Sequence, residues 1–261
     1  MSKIKIDGVD IYYEVHGEGV PLILIHHGIG CTKMWEQLVD GFSTRYKVIS
    51  YDRRGFGRSE KGENFQDYYR SDQYNPNSVR ELSNLLEHLS IKDRLYIVGQ
   101  CEGAVVGFHY ANQNPDRVVA IVTSSTLCSG KLLKWDPSDS EILSSFEQAQ
   151  TEFQDKLVYW HGESWARELF KLFIELGGAY GTNPASFDLT PLLKNIQCPT
   201  LVLYPDRSRL FDVEQGVLMY RSLPNAELAV LPRCGHNTYA LQPQEYRRII
   251  LSFFERVSKE K

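Results

Sequence analysis

Residues 95–112 read LYIVGQCEGAVVGFHYAN, and the order of residue types in this stretch decides the fold. Leu95 to Val98 is continuously apolar, as a strand buried on both faces must be. Gly99-Gln100-Cys101-Glu102-Gly103 follows at once, and Glu102 to Asn112 is apolar almost all round, the pattern of a buried helix. The small residues on either side of Cys101 let a strand turn tightly into a helix and lift the Cys101 side chain out at the sheet's edge. The same turn sets that side chain at a helix N-terminus, where the positive end of the dipole favours a thiolate. A Gly-x-Cys-x-Gly pattern alone carries little. Between this strand and this helix it is a specific signal.

Working outward, the same texture recurs. Lys3 to Ile6 and Asp10 to Val15 read as an antiparallel hairpin about Asp7-Gly8. Apolar runs at residues 21–26, 47–51, 95–98, 118–123 and 200–204, with a last one at 227–231, bring the expected strands to eight. Helical patterns lie between them. Ser78-Val-Arg-Glu81 has the form of a capping box and predicts a helix start there, with Val79, Leu82, Leu85, Leu86 and Leu89 on one face. Tyr246, Ile249, Ile250, Phe253, Phe254 and Val257 mark a terminal helix. Strands alternating with helices predict an α/β fold, a mostly parallel eight-stranded sheet with helices on both faces. Residues 129–190 break the rhythm, with helical or irregular patterns rich in aromatics. We read 1–128 and 191–261 as the core, and 129–190 as a helical cap inserted after the sixth strand, over the sheet edge where such folds bind ligands. Most of its aromatics should form its own core. Trp135 and Trp160 are the candidates for facing a pocket.

Composition bounds the function. A formal net charge of −4 with only isolated basic pairs leaves no footprint for nucleic acid. No apolar run approaches the roughly 18 residues that span a bilayer, and the N-terminal residues lack a signal peptide's apolar core, so no membrane partner and a cytoplasmic location are expected. The five cysteines are scattered, without paired metal-ligand spacing, and in a reducing compartment read as free thiols. No metal or cofactor is expected. A small-molecule substrate is, with the chain a monomer or homodimer.

Two further pieces complete a candidate site. His27-Gly28-Ile29-Gly30 follows the strand at residues 21–26, and this glycine-rich turn can aim the Ile29 N–H above residue 101. With the Glu102 N–H it would form a two-donor oxyanion hole, with His27 and Gly28 lining the pocket. His236 follows the last strand, and from that loop can reach back to Cys101 as a general base.

On these motifs the whole chain resembles the α/β-hydrolase superfamily. Tyr51-Asp52-Arg53-Arg54-Gly55-Phe56-Gly57-Arg58-Ser59 is similar to its turn after the fourth strand, and Cys198 to Leu203 to the lead-in of its seventh. The likeness is greatest to small esterases, lactonases and cofactor-free haloperoxidase-like enzymes with a helical cap. It implies an α/β-hydrolase fold and a nucleophile, acid and histidine in that order along the chain. Two departures stand out. The nucleophile position holds cysteine rather than the usual serine; a thiol–histidine pair can ionise before substrate arrives, and depends less on a third residue. The family's acid position falls by register on Ser208, with Asp206 as the alternative third member and Asp212 the other near carboxylate. Ser208 could orient the imidazole, though a hydroxyl does not stabilise an imidazolium as a carboxylate does. Glu102 reads first as an acid complementing the helix dipole, and second as a proton donor or a selector for cationic substrates. Its charge would also raise the thiol's pKa.

The expectation is a cofactor-independent hydrolase of small esters, lactones or thioesters, working through a Cys101 thiolate and an acyl-enzyme. Acyl transfer or C–C hydrolysis is a variant. The alternatives are a ligand-binding or signalling protein on the same scaffold and a chain whose serine has been replaced by cysteine.

Overall fold

The computed structural model describes residues 2–134 and 145–259. Trp135 lies outside them. Eight strands form one sheet: β1 (Ser2–Ile6), β2 (Val9–His16), β3 (Val20–Ile25), β4 (Tyr46–Tyr51), β5 (Leu95–Gln100), β6 (Val118–Ser124), β7 (Thr200–Pro205) and β8 (Ala226–Leu231). Their spatial order is β1-β2-β4-β3-β5-β6-β7-β8, with β1 and β2 antiparallel and every pairing from β4 to β8 parallel. The expected α/β class and strand count hold.

Burial follows the sequence texture. Every residue of β5, β6 and β7 is buried, as their unbroken apolar runs require for strands covered on both faces. The edge strand β8 is mostly half-buried and reads as a mixed sequence. The helix Glu102–Gln113 packs against β5, and its buried set includes Ala104, Val105, Val106 and Phe108. Each such apolar side chain taken from water contributes roughly 1.5–3 kcal/mol, which offsets the entropy of ordering the segment. The terminal helix Pro243–Lys259 buries Tyr246, Ile250, Phe253, Phe254 and Val257, the face its spacing marks.

One expectation fails. The helix carrying Val79 and Leu82 begins at Ser71, not Ser78, and runs through Pro76 to His88. Ser78 is interior and buried, and Glu81 caps nothing: its carboxylate accepts the Arg54 N–H at 3.1 Å and the Tyr68 hydroxyl at 3.0 Å. Tertiary partners for Glu81 override the local capping pattern.

Between β6 and β7 the described chain includes the helices Thr151–His161 and Glu163–Leu176, joined at Gly162, whose φ is +82°. Phe170 meets Phe146 and Phe153 edge-on, with centroids 6.1 and 6.2 Å away, and these aromatics continue the core cluster on one face of the sheet rather than forming a separate one. Trp165 Nε1–H donates to the Gly55 carbonyl at 2.6 Å and Lys33 Nζ to that of Tyr159 at 2.7 Å, tying the helices to the loops at the carboxyl edge of β3 and β4. Among the described residues no helix is long and apolar enough to cross a membrane.

Candidate active site

Cys101 sits between β5 and the Glu102–Gln113 helix with φ +53° and ψ −120°, a conformation that L-residues avoid. Such a residue stores on the order of 1–3 kcal/mol, so its surroundings must hold it. Here the Cys101 N–H donates to the Ser124 carbonyl at 2.8 Å and its carbonyl accepts the Ala104 N–H at 3.0 Å. The flanking glycines are sterically required: a Cβ at Gly99 would strike the backbone of Ala104, and one at Gly103 the carbonyl oxygen of Ile25. This is the tight strand-to-helix turn that the glycine spacing predicts.

Its surroundings disfavour the charged form of the thiol. Burial first, and the Glu102 charge second, push the Cys101 pKa up to about 12, outweighing the Tyr180 hydroxyl beside the sulfur. The sulfur's hydrogen-bond partner is the Tyr180 hydroxyl at 3.3 Å, and that oxygen also receives the Leu127 N–H at 3.4 Å. Tyr180 is one of the aromatics of residues 129–190, and its contact with the sulfur, across about 80 residues of chain, has no local signal in the sequence.

His236 lies in the loop after β8, as expected. Its carbonyl accepts Gln100 Nε2 at 2.9 Å and the Ser125 hydroxyl at 2.8 Å, so side chains at the ends of β5 and β6 hold the loop. Nδ1 of the ring faces Ser208 Oγ at 3.4 Å, and that oxygen also accepts the Phe211 N–H at 3.1 Å. Burial pushes the imidazole down to about 4. Burial thus disfavours both the thiolate and the imidazolium, and among the described residues no carboxylate is hydrogen-bonded to the ring, which counts against a thiolate–imidazolium pair at rest. Asp206 points elsewhere: Oδ1 accepts the Cys234 N–H at 3.0 Å, and such backbone donors hold its pKa below the usual range. Asp212 caps the helix Val213–Ser222 and pairs with Lys134 at 2.6 Å.

The Gly28 turn closes over the helix start. A Cβ on Gly28 would lie 2.7 Å from both Glu102 Oε2 and the Phe173 ring, so only glycine lets the carboxylate come this near. Glu102 is fully buried, unlike a first-turn acid that merely complements the dipole. Oε2 accepts the Tyr74 hydroxyl at 2.9 Å and Oε1 the Ala179 N–H at 3.3 Å, and burial raises its pKa to about 7 against the opposing Arg53 charge. His27 and Trp160 come together with ring centroids 5.8 Å apart, and His27 Nε2 meets the Tyr239 hydroxyl at 3.3 Å. The structure thus brings Cys101 together with Tyr180, Glu102 with Gly28, and His236 with Ser208. Asp206 is outside these groups.

Comparison with known proteins agrees with the fold. The sequence profile described as "alpha/beta hydrolase fold" matches residues 20–180. A RutD protein of Azorhizobium caulinodans, named for carbamate hydrolysis, is 24% identical over 262 residues, covering 94% of each chain. A proline iminopeptidase of Thermoplasma volcanium is 25% identical over 97% of this chain and 96% of its own. Among solved structures, Est816, described as an N-acyl homoserine lactone degrading enzyme, superposes with a TM-score of 0.77 at 22% identity, over 97% of this chain and 100% of its own.

Proposed function

The chain belongs to the alpha/beta hydrolase fold family, and from that premise we propose that it hydrolyses a small ester, lactone or thioester through an acyl-enzyme on Cys101. The observation that carries this reading is the Cys101 thiol, held on a strained turn between two glycines that no other residue could replace without a clash. A buried cysteine kept only for packing needs no such turn. The substrate's carbonyl oxygen would sit between the N–H groups of Ile29 and Glu102. The segment 129–190 acts as a lid whose aromatics, Trp160 among them, favour an apolar acyl or ring group. The carbamate, iminopeptide and lactone chemistry named for the relatives is all acyl transfer to water.

Because burial disfavours both the thiolate and the imidazolium, the mechanism follows the general-base route. The Cys101 thiol leaves Tyr180 and gives its proton to His236 as sulfur attacks the carbonyl carbon, forming a tetrahedral oxyanion. His236 returns that proton to the departing oxygen or sulfur, leaving a thioester. It then takes a proton from water, whose hydroxide releases the acid and restores the thiol. For this His236 needs its Nε2 bare and its proton on Nδ1. A carboxylate enforces that tautomer because it only accepts; the Ser208 hydroxyl accepts or donates and so enforces neither. Slow acylation is the consequence.

The test is a panel of p-nitrophenyl esters, lactones and acyl thioesters, read by product release and intact mass for wild type and Cys101→Ala. Turnover, or an acyl adduct absent in the variant, is expected. No turnover and no adduct on a protein whose Cys101 still takes a small thiol label would overturn the reading. It would leave the second one, a ligand-binding protein on this scaffold, which the disfavoured thiolate and the serine at position 208 favour.

A further inference from the structure

His161 lies at the end of the helix Thr151–His161, away from the thiol, yet it bridges two loops of the core. The Gly57 N–H donates to its Nδ1 at 2.9 Å, so the ring proton is on Nε2, which donates to the Ile29 carbonyl at 3.0 Å. Burial pushes this imidazole down to about 4, which keeps it in that neutral form. The loop it touches is held elsewhere by the core. The His27 carbonyl accepts Arg53 Nη2 at 2.9 Å and His26 Nδ1 at 2.7 Å, and the Thr32 N–H donates to Asp52 at 2.6 Å. Among the described residues, Ile29's backbone has only the His161 bond.

Ile29 stands between Gly28 and Gly30, which leave the local backbone free to rotate. Its N–H lies on the peptide plane between the His27 carbonyl and its own carbonyl, so holding the neighbouring planes limits how far that N–H can turn. Arg53 and His26 hold the first through the His27 carbonyl. The second is held by the Gly30 N–H, which donates to the His27 carbonyl at 3.0 Å, and by His161 on the Ile29 carbonyl.

We infer that His161 is a positioning residue for the oxyanion hole, steadying the Ile29 peptide through its carbonyl while the helix Thr151–His161 is docked on the core. The docked helix then helps to complete the hole, and its release loosens it. The inference rests on the proposed acyl chemistry for its kinetic consequence, but not for the clamp itself.

The test compares wild type, His161→Phe and His161→Gln, each checked for folding by circular dichroism. One arm reads single-turnover acylation by p-nitrophenyl acetate beside alkylation of Cys101 by iodoacetamide, a reaction that builds no oxyanion. His161→Phe should slow acylation on the order of 10²-fold, as loss of one oxyanion donor does, with alkylation nearly unchanged. His161→Gln, which keeps an acceptor and a donor, should recover part of the rate. The second arm reads amide exchange at Gly30, bonded to the His27 carbonyl at 3.0 Å, which should lose protection in His161→Phe whatever the chemistry. Unchanged exchange, or acylation and alkylation falling together, overturns the inference. A wild type that never acylates overturns the proposed function instead, and the exchange arm still decides the clamp.

Discussion

The turn after β5 presents Cys101 and the loop after β7 presents Ser208 to His236, and they are built to different tolerances. At the first, Gly99, Cys101 and Gly103 are fixed by backbone contacts to Ala104, Ser124 and Ile25, with no room for another atom. At the second, Ser208 meets His236 through one 3.4 Å contact between side chains. That is long for a hydrogen bond of this kind. The first region is specified by backbone sterics, the second by the identity of a single side chain. An exchange at the first therefore costs the fold, whereas one at the second alters the chemistry alone.

The strongest way to break this comparison is Gly103→Ala. The new methyl would collide with the Ile25 and His26 carbonyls, neither of which has a flexible end to swing aside. We expect a loss of about 3 kcal/mol or more in urea unfolding, together with loss of Cys101 reactivity. A variant as stable as wild type would mean that the turn is not sterically set.

Ser208→Asp probes the second region. A carboxylate there accepts the Phe211 N–H as Ser208 does and adds an acceptor for Nδ1–H, fixing the tautomer and stabilising the imidazolium. The His236 pKa should rise from about 4, followed by NMR titration. Acylation should quicken on the order of 10²-fold, part of the factor such a carboxylate supplies in a triad. Asp206→Asn is the control: its carboxylate serves the Cys234 N–H, so the acylation rate should stay within about twofold, as for substitutions away from such a site. If Asp206→Asn silences the protein and Ser208→Asp does nothing, the third position belongs to Asp206.

The same contrast explains what was legible in sequence. The sheet, the turn and the His27–Gly30 loop rest on local patterns: unbroken apolar runs, and glycines where a Cβ would clash. The helix start was misread because Ser78 and Glu81 make a good local cap that long-range partners displace. Tyr180 shows in the sequence only as one aromatic of the inserted segment, and neither its contact with Cys101 nor that of His161 with Ile29 has a local signal, since they span about 80 and 130 residues of chain. The ionisation of Cys101 was half legible. The helix N-terminus and the acidic neighbour are in the sequence, but the burial that decides between them is not.

The smallest effect sharpens that last point. Glu102 folds with its pKa raised to about 7 from the ordinary 4.5, so between those values the native state binds more protons than the unfolded chain. Stability from this group is therefore present below about pH 4.5 and is lost as pH rises through 7. Buried His161 and His236, lowered to about 4, run the other way, adding stability as pH rises from about 4 to 6.5. Total stability against pH would hide both. Glu102→Gln isolates the first: relative to wild type, the variant should gain stability between pH 5 and pH 8 in parallel urea titrations. Removing the negative charge beside the sulfur should also lower the Cys101 pKa, raising its iodoacetamide rate at pH 8 by a few-fold, the scale of an interaction worth a fraction of a pKa unit to one unit. An unchanged alkylation rate would mean that burial alone keeps the thiol protonated, and that Glu102 is held against Gly28 for some purpose other than restraining its neighbour.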